Sequence, residues 1–278
     1  MTKQNRIAVG VSGPATSYPA IDWALAYAGS VQAEVELVHV VDVGGRAAQE
    51  PEAEQLLLAA EHELREIAAL HSARAGAPVH STVLLGRPAQ QLVEHAAGGQ
   101  MLVLGTRTAD KPGGYVFNPL AVRVAGRADV STVIVPRLES VGHGIVVGID
   151  GSEYSAAPLA FAAREADRLG EPLAIVHAWN TAVSWGGEGV VDWPSSPEDE
   201  DRRIVAEAIA GLKADYPDLA VDTEIIPGWA ADVLDEAAHG ARMLVVGSHG
   251  RHGFEKAWLG STSEDLIFSM PTTVAVIR

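Results

Sequence analysis

The chain has 278 residues, 47% of them hydrophobic, with 36 acidic against 20 basic side chains and no cysteine. A net charge of −16 makes nucleic acid and anionic membrane surfaces poor partners, because the long-range field repels both. The lack of cysteine excludes disulfides, a thiolate nucleophile and cysteine-bound zinc, and no apolar run reaches the ~20 residues that span a bilayer.

The opening MTKQNRIAVGV has no long apolar segment of the secretory kind, so the cytoplasm is the expected compartment. The length predicts two domains of roughly 150 residues each. In chain order, an apolar run at 6–12 reads as a strand and is followed by helical spacing over 17–30. A strand at 34–41 leads to a long helix over 51–75, with Leu56, Leu57, Ala60, Leu64, Ile67 and Leu70 at the spacing of a core face. Strands at 79–84, 101–105 and 131–135 alternate with helices at 88–97 and 119–127, and Gly86-Arg-Pro88 reads as a turn between strand and helix. After a short polar linker, Pro136–His143, strands follow at 144–150, 172–179, 221–226, 242–247 and 273–277. Helices are expected between them at 154–169, 198–215, 229–239 and 261–269.

The chain carries this plan twice. Arg6–Gly13 matches Gly144–Gly151, and Glu36–Val40 matches Ala174–Ala178, both 138 positions apart. Met101–Gly105 matches Met243–Gly247 and Ser131–Val135 matches Thr273–Ile277, 142 apart. The drift places a net insertion in the second half, in the irregular stretch 180–201, where Trp185 and Trp193 stand among Glu and Asp. Strands apolar on both faces and alternating with helices imply a parallel sheet covered on both sides, with right-handed crossovers. The fold class is therefore α/β, as two tandem doubly wound, Rossmann-like domains over 1–137 and 143–278. Ligands of such sheets bind beyond the carboxyl ends of the strands, where the strand order switches.

Two features fall at such ends in the second half. Asp150 closes the first strand ahead of Gly151-Ser152. It reads either as a turn and cap acid or as a carboxylate that accepts from a ligand. Gly247-Ser-His-Gly250 follows the apolar run Met243–Val246, and nine residues later comes Gly260-Ser261-Thr262-Ser263, a helix start rich in hydroxyls. Glycine lets backbone N–H groups approach a ligand, and a helix N-terminus adds unpaired donors and partial positive charge. Together they make an anion site, most often one for phosphate. It is neither a P-loop nor the dinucleotide fingerprint. His177 lies inside a strand pattern and reads as a packed residue, whereas His249, Arg251, His252 and Lys256 read as either solvated or phosphate-touching.

Together these residues resemble the universal stress protein family, and the arrangement is similar to a tandem pair. The resemblance covers nearly the whole chain, twice. The family's nucleotide motif is Gly, two residues, Gly, nine residues, Gly, then Ser or Thr, and the second half matches it from Gly247 to Ser261. The resemblance implies ATP or AMP, with adenine near Asp150 and Ala178, ribose by Gly247, and phosphates by Gly250, Gly260, Ser261 and Thr262. The implied site also takes in Gly148, Ile149, His249, Arg251 and Ser263, and a divalent ion, Mg or Mn, can accompany the phosphates. It implies pairing of domains through the final strands, Ser131–Val135 and Thr273–Ile277, with a two-chain dimer and a protein partner of unstated identity as further expectations.

The first half departs from this pattern. Ser12 stands for Asp150, Pro14 for Ser152, Thr108 for Gly250, and Asn118-Pro119 for Gly260-Ser261. Side chains then crowd the phosphate approach and proline removes a donor, so this half is expected to bind adenine nucleotide weakly or not at all. The leading functional reading is a nucleotide-dependent stress-response module, more a binding protein than an enzyme. The alternatives are a slow ATP hydrolase or nucleotidyl transferase, for which His249, Arg251 and Glu255 are the nominees, and a scaffold without a physiological nucleotide.

Overall fold

In the computed structural model the described residues are 5–42, 51–106, 118–137, 142–179, 199–250 and 259–278. The chain divides into two units, the first of Met1–Glu139 with Lys256–Leu259 and the second of Ser140–Glu255 with Gly260–Arg278. Runs such as Ile7-Ala-Val and Leu102-Val-Leu offer no polar side chain to water, so they settle as central strands buried on both faces.

In the first unit the strands are β1 (Arg6–Gly10), β2 (Glu34–Val41), β3 (Val79–Leu85), β4 (Met101–Thr106) and β5 (Ser131–Pro136). They alternate with α1 (Pro14–Val31), α2 (Pro51–Ala75), α3 (Pro88–Ala96) and α4 (Pro119–Arg127). All pairs are parallel, in the order β3-β2-β1-β4-β5. The second unit repeats the plan with β6 (Ile145–Gly148), β7 (Leu173–Trp179), β8 (Val221–Pro227), β9 (Met243–Gly247) and β10 (Thr273–Ile277). Its helices are α5 (Ala156–Leu169), α6 (Asp199–Asp215), α7 (Ala230–Ala237) and α8 (Ser261–Ser269), and its strand order is β8-β7-β6-β9-β10, again parallel. The doubly wound α/β fold expected from the alternation is the fold found. Ile145, Leu173, Ile175, Leu244 and Ile267 are fully buried, each worth roughly 1.5–3 kcal/mol relative to exposure.

Three local expectations are corrected. Helix α1 starts at Pro14 rather than 17, because proline's fixed φ suits the first helical position. Strand β6 ends at Gly148, short of 150, because Gly151 turns the chain at φ +77. The buried stripe of α2 is Leu64, Ile67, Ala68 and His71, whereas Leu56 and Leu70 are 54% and 47% exposed. At ~1.5 Å per residue a helix of this length outruns the ~25 Å of its neighbouring strands, so its first turns pass beyond the sheet.

Strand order places the candidate site. In the second unit β6 leads outward through β7 to β8, and the chain then crosses to β9 on the other side of β6. The loops after β6 and β9 therefore diverge to opposite faces and leave a crevice between them. Asp150 follows β6, and Gly247 ends β9.

Candidate functional site

Asp150 is fixed by its own loop. Its Oδ1 accepts from the Ser152 backbone N–H at 2.9 Å, from the Ser152 hydroxyl at 2.6 Å and from the Ser155 hydroxyl at 2.7 Å. The Asp150 N–H donates to Ser155 Oγ at 3.0 Å. Charge-assisted bonds of this kind hold a carboxylate in one orientation, and Oδ2 is turned to the β9 loop. A Cβ on Gly250 would stand 2.8 Å from that oxygen. Gly151 has no room either, since its Cβ would meet Ile204 at 2.6 Å.

The three glycines of the loop answer to different constraints. At Gly247 a Cβ would come within 3.0 Å of the His249 carbonyl oxygen and 3.3 Å of that of Tyr154, so neighbouring backbone would have to give by a few tenths of an ångström. At Gly250 the Asp150 carboxylate does so. At Gly260 the nearest atom among the described residues is 3.6 Å away and φ is −62°, so they leave room for a methyl there. The absence of a side chain at Gly260 leaves a cradle that packing does not demand. The loop's ends are tied together: the Gly260 N–H donates to the Ser248 carbonyl at 3.0 Å, and the Ser263 hydroxyl to the Gly247 carbonyl at 2.7 Å.

Helix α8 begins at Gly260 with no side-chain cap, so its first-turn N–H donors and positive dipole end are left to the crevice. The matching helix of the first unit differs. There the Asn118 side chain accepts from the Ala121 N–H at 3.1 Å, and Pro119 occupies the first helical position. One of its first-turn donors is thus satisfied from within, and proline removes another. Ser12, in place of Asp150, donates its backbone N–H to Ser17 Oγ at 3.1 Å, the counterpart of the Asp150–Ser155 bond.

The histidines separate into two kinds. His177 is buried, with Nδ1 2.9 Å from the Ile149 carbonyl and Nε2 2.8 Å from Asp201 Oδ1. His39 lies 2.7 Å from the Val11 carbonyl in the same way. Each ties the second strand of its unit to the end of the first, so His177 is a packed residue, as expected. His249 is half-buried, with Nδ1 2.9 Å from Ser248 Oγ and its ring 5.8 Å from that of Tyr154. Burial, with Arg278 nearby, lowers its pKa from the ordinary value. Its Nε2 is buried without a hydrogen-bond partner.

The sequence-derived residues therefore divide. Asp150, Gly247, His249, Gly250 and Gly260 converge on the crevice, with Ser261 and Thr262 in the first turn of α8. Ala178 is half-buried near the end of β7. Gly148 is set by packing, since its Cβ would meet Leu234 at 2.7 Å. Ile149 is buried, its N–H bonded to Val176 and its carbonyl to His177. Ser263 is buried and its hydroxyl is engaged by Gly247, so it can offer a ligand its backbone N–H only. Arg251, His252, Glu255 and Lys256 lie outside the described residues, as do Thr108, Trp185 and Trp193. Ser155 and Tyr154 were missed. The signal for Ser155 was its match with Ser17 in the repeat; Tyr154 gave none.

The universal stress protein family model matches residues 4–136 and again 143–278. A universal stress protein of Mycolicibacterium smegmatis is 30% identical, the match covering 98% of this chain and 96% of the relative. The universal stress protein Rv1996 of Mycobacterium tuberculosis is 29% identical over 98% and 94% of the two chains. The crystal structure of a universal stress protein from Archaeoglobus fulgidus superposes with a TM-score of 0.77 over 99% of this chain and 98% of that one; at 19% identity this likeness speaks to the fold alone.

Proposed function

Because this chain belongs to the universal stress protein family, we propose that its second unit binds ATP or AMP and that the protein acts as a nucleotide-dependent stress-response module. The observation that carries this reading is the contrast between the two helix N-termini. Helix α8 is uncapped beside Asp150 and the glycine loop, whereas α4 is capped by its own Asn118. Phosphates would take the first-turn N–H groups of α8, and the cradle over Gly260 gives them room. Asp150 Oδ2 would accept from a hydroxyl or amine of the nucleoside. Among the described residues no group of three His, Asp or Glu side chains is placed to hold a metal, so a divalent ion, Mg or Mn, would come with the phosphates.

The first unit, on this reading, binds adenine nucleotide weakly or not at all. The action belongs in the cytoplasm, and self-association into a two-chain dimer is part of the same proposal. No helix among the described residues is long and apolar enough to cross a membrane.

The test is to denature the purified protein and quantify released adenine nucleotide by liquid chromatography. One nucleotide per chain supports the reading. Two per chain would overturn the assignment to a single unit, and none after incubation with millimolar Mg-ATP would leave a scaffold as the function. Conversion of bound ATP to ADP over repeated turnovers would move the protein into the enzymes.

A further inference from the structure

We infer that His177 and Asp201 are positioning residues for Asp150. A doubly protonated His177 ring bonds α6 at one end and the turn that carries Asp150 at the other; this rests on the nucleotide-binding reading above. Hydrogen-bond chemistry supplies the first argument. Nδ1 of His177 is 2.9 Å from the Ile149 carbonyl oxygen, and Nε2 is 2.8 Å from Asp201 Oδ1. A carbonyl oxygen and a carboxylate oxygen only accept, so each bond needs a proton from the ring. A neutral imidazole has one such proton and an imidazolium has two. His177 is 2% exposed, and a charge at that depth persists only beside its opposite. The Asp201 carboxylate is that opposite.

The place of the pair supplies the second argument. Strand β6 ends at Gly148, yet Ile149 is still held by β7 through both of its backbone groups. Its N–H donates to the Val176 carbonyl at 3.0 Å, and its carbonyl accepts from His177. Asp150 is the next residue. On its other side Gly151 turns the chain at φ +77 and packs against Ile204, which a Cβ there would meet at 2.6 Å. Ile204 lies one turn beyond Asp201 on α6, so the two share a helix face. One helix therefore holds residue 149 through the imidazole and residue 151 by direct packing, with Asp150 between them. The Ser152 and Ser155 bonds orient the carboxylate within its turn, and the ties to α6 fix that turn on the sheet.

The repeat supplies the third. In the first unit His39 Nδ1 is 2.7 Å from the Val11 carbonyl, and the Val11 N–H donates to the Val38 carbonyl at 2.8 Å. The tie from ring to backbone is thus common to both units. Among the described residues no carboxylate pairs with His39, which is half-buried, and a neutral ring satisfies its one bond. Ser12 stands there in place of Asp150. Among the described residues, then, the counter-ion accompanies the unit in which a carboxylate faces the crevice.

The experiment is calorimetric titration of the full chain and its Asp201→Ala, Asp201→Asn, His177→Gln and His39→Gln variants with ATP and with inorganic triphosphate. Proton–nitrogen correlation spectra report the histidine rings, and thermal melts report folding. In the unaltered chain both ring nitrogens of His177 are expected to carry protons. Asp201→Ala and His177→Gln should weaken ATP binding by about tenfold, the scale on which partners that orient a ligand-touching group act. Triphosphate should lose less than about twofold, because α8 and not Asp150 takes the phosphates. Asp201→Asn can donate its amide to a neutral His177 ring and so remake the tie. It should recover most of the ATP affinity with one ring nitrogen protonated, and it guards against an alanine variant that fails to fold. His39→Gln should leave ATP affinity unchanged. A singly protonated His177 in the unaltered chain, unchanged ATP affinity in Asp201→Ala and His177→Gln, or an equal loss for triphosphate would each overturn the inference and leave the nucleotide reading intact. An equal loss in His39→Gln would also overturn it, since the effect would then be one of general packing. Unaltered protein that binds no ATP would defeat both.

Discussion

Asp150 and Gly250 meet across the switch between β6 and β9: a Cβ on residue 250 would stand 2.8 Å from Asp150 Oδ2. Asp150 cannot yield cheaply, because its other oxygen is held by three hydrogen bonds. Gly250→Ala is therefore expected to push the carboxylate out of position and weaken ATP binding by at least tenfold, with a change in stability of about 1 kcal/mol or less, as for other loop substitutions. Calorimetric titration together with a thermal melt checks it. Unchanged affinity would mean that the carboxylate does not touch the ligand.

Asp150→Ala removes an acceptor shared by Ser152 N–H, Ser152 Oγ and Ser155 Oγ. Two effects are expected: loss of nucleotide and a fall in stability of roughly 1–3 kcal/mol from the donors left without it. Asp150→Asn keeps one acceptor oxygen and should recover most of the stability and little of the affinity. If asparagine restores both, the charge is not what the ligand reads.

Gly260 separates packing from binding. Gly260→Ala meets no atom of the described residues closer than 3.6 Å and needs no unusual φ, so stability should hold or rise by up to ~1 kcal/mol. Nucleotide affinity should fall as the methyl enters the cradle, and Gly260→Glu should abolish binding by placing a negative charge at the phosphate position. Retention of ATP by Gly260→Glu, measured after gel filtration, would remove the phosphates from this helix end.

Acid should act on the cluster around Glu36 in the first unit. Burial opposes the charge on Glu36, but hydrogen bonds from His95 and Thr82, with the charges of His95 and Arg6, outweigh it and hold the pKa at about 2. An unfolded glutamate titrates near 4.5, so the folded state favours the carboxylate. That stabilisation is complete above about pH 4.5 and is lost as the pH falls toward about 2. Glu36→Gln should cost about 3 kcal/mol at pH 7, and its melting curve should converge with that of the unaltered chain between pH 4.5 and 2. Curves that stay parallel to pH 2 would show that the cluster stabilises by shape rather than charge.

Much of the fold could be read before any coordinates. The alternation of apolar runs and helical spacing located the ten strands and eight α-helices of the described residues to within a few residues, because doubly apolar strands such as Leu244-Val-Val have one stable environment, the middle of a parallel sheet. Where the reading missed, as with Leu56 and Leu70 on α2, periodicity reported a helix face but not how far the sheet extends beneath it. The glycine spacing and the damaged first-half motif were also legible, since backbone approach and N–H donors depend on residue type alone.

The sequence by itself determined the repeat, the parallel sheets and the family. Tertiary structure decided which residues share a site. Only the crossover from β8 to β9 brings Asp150 beside Gly250, 100 positions later in the chain. Only packing shows that Gly148 makes room for Leu234, while at Gly260 no atom of the described residues comes closer than 3.6 Å to an added Cβ. The reason is physical: residue type sets what a position can do locally, but the space around it is made by side chains from distant strands and helices. That space separates a glycine set by packing from one that the surrounding described residues leave open.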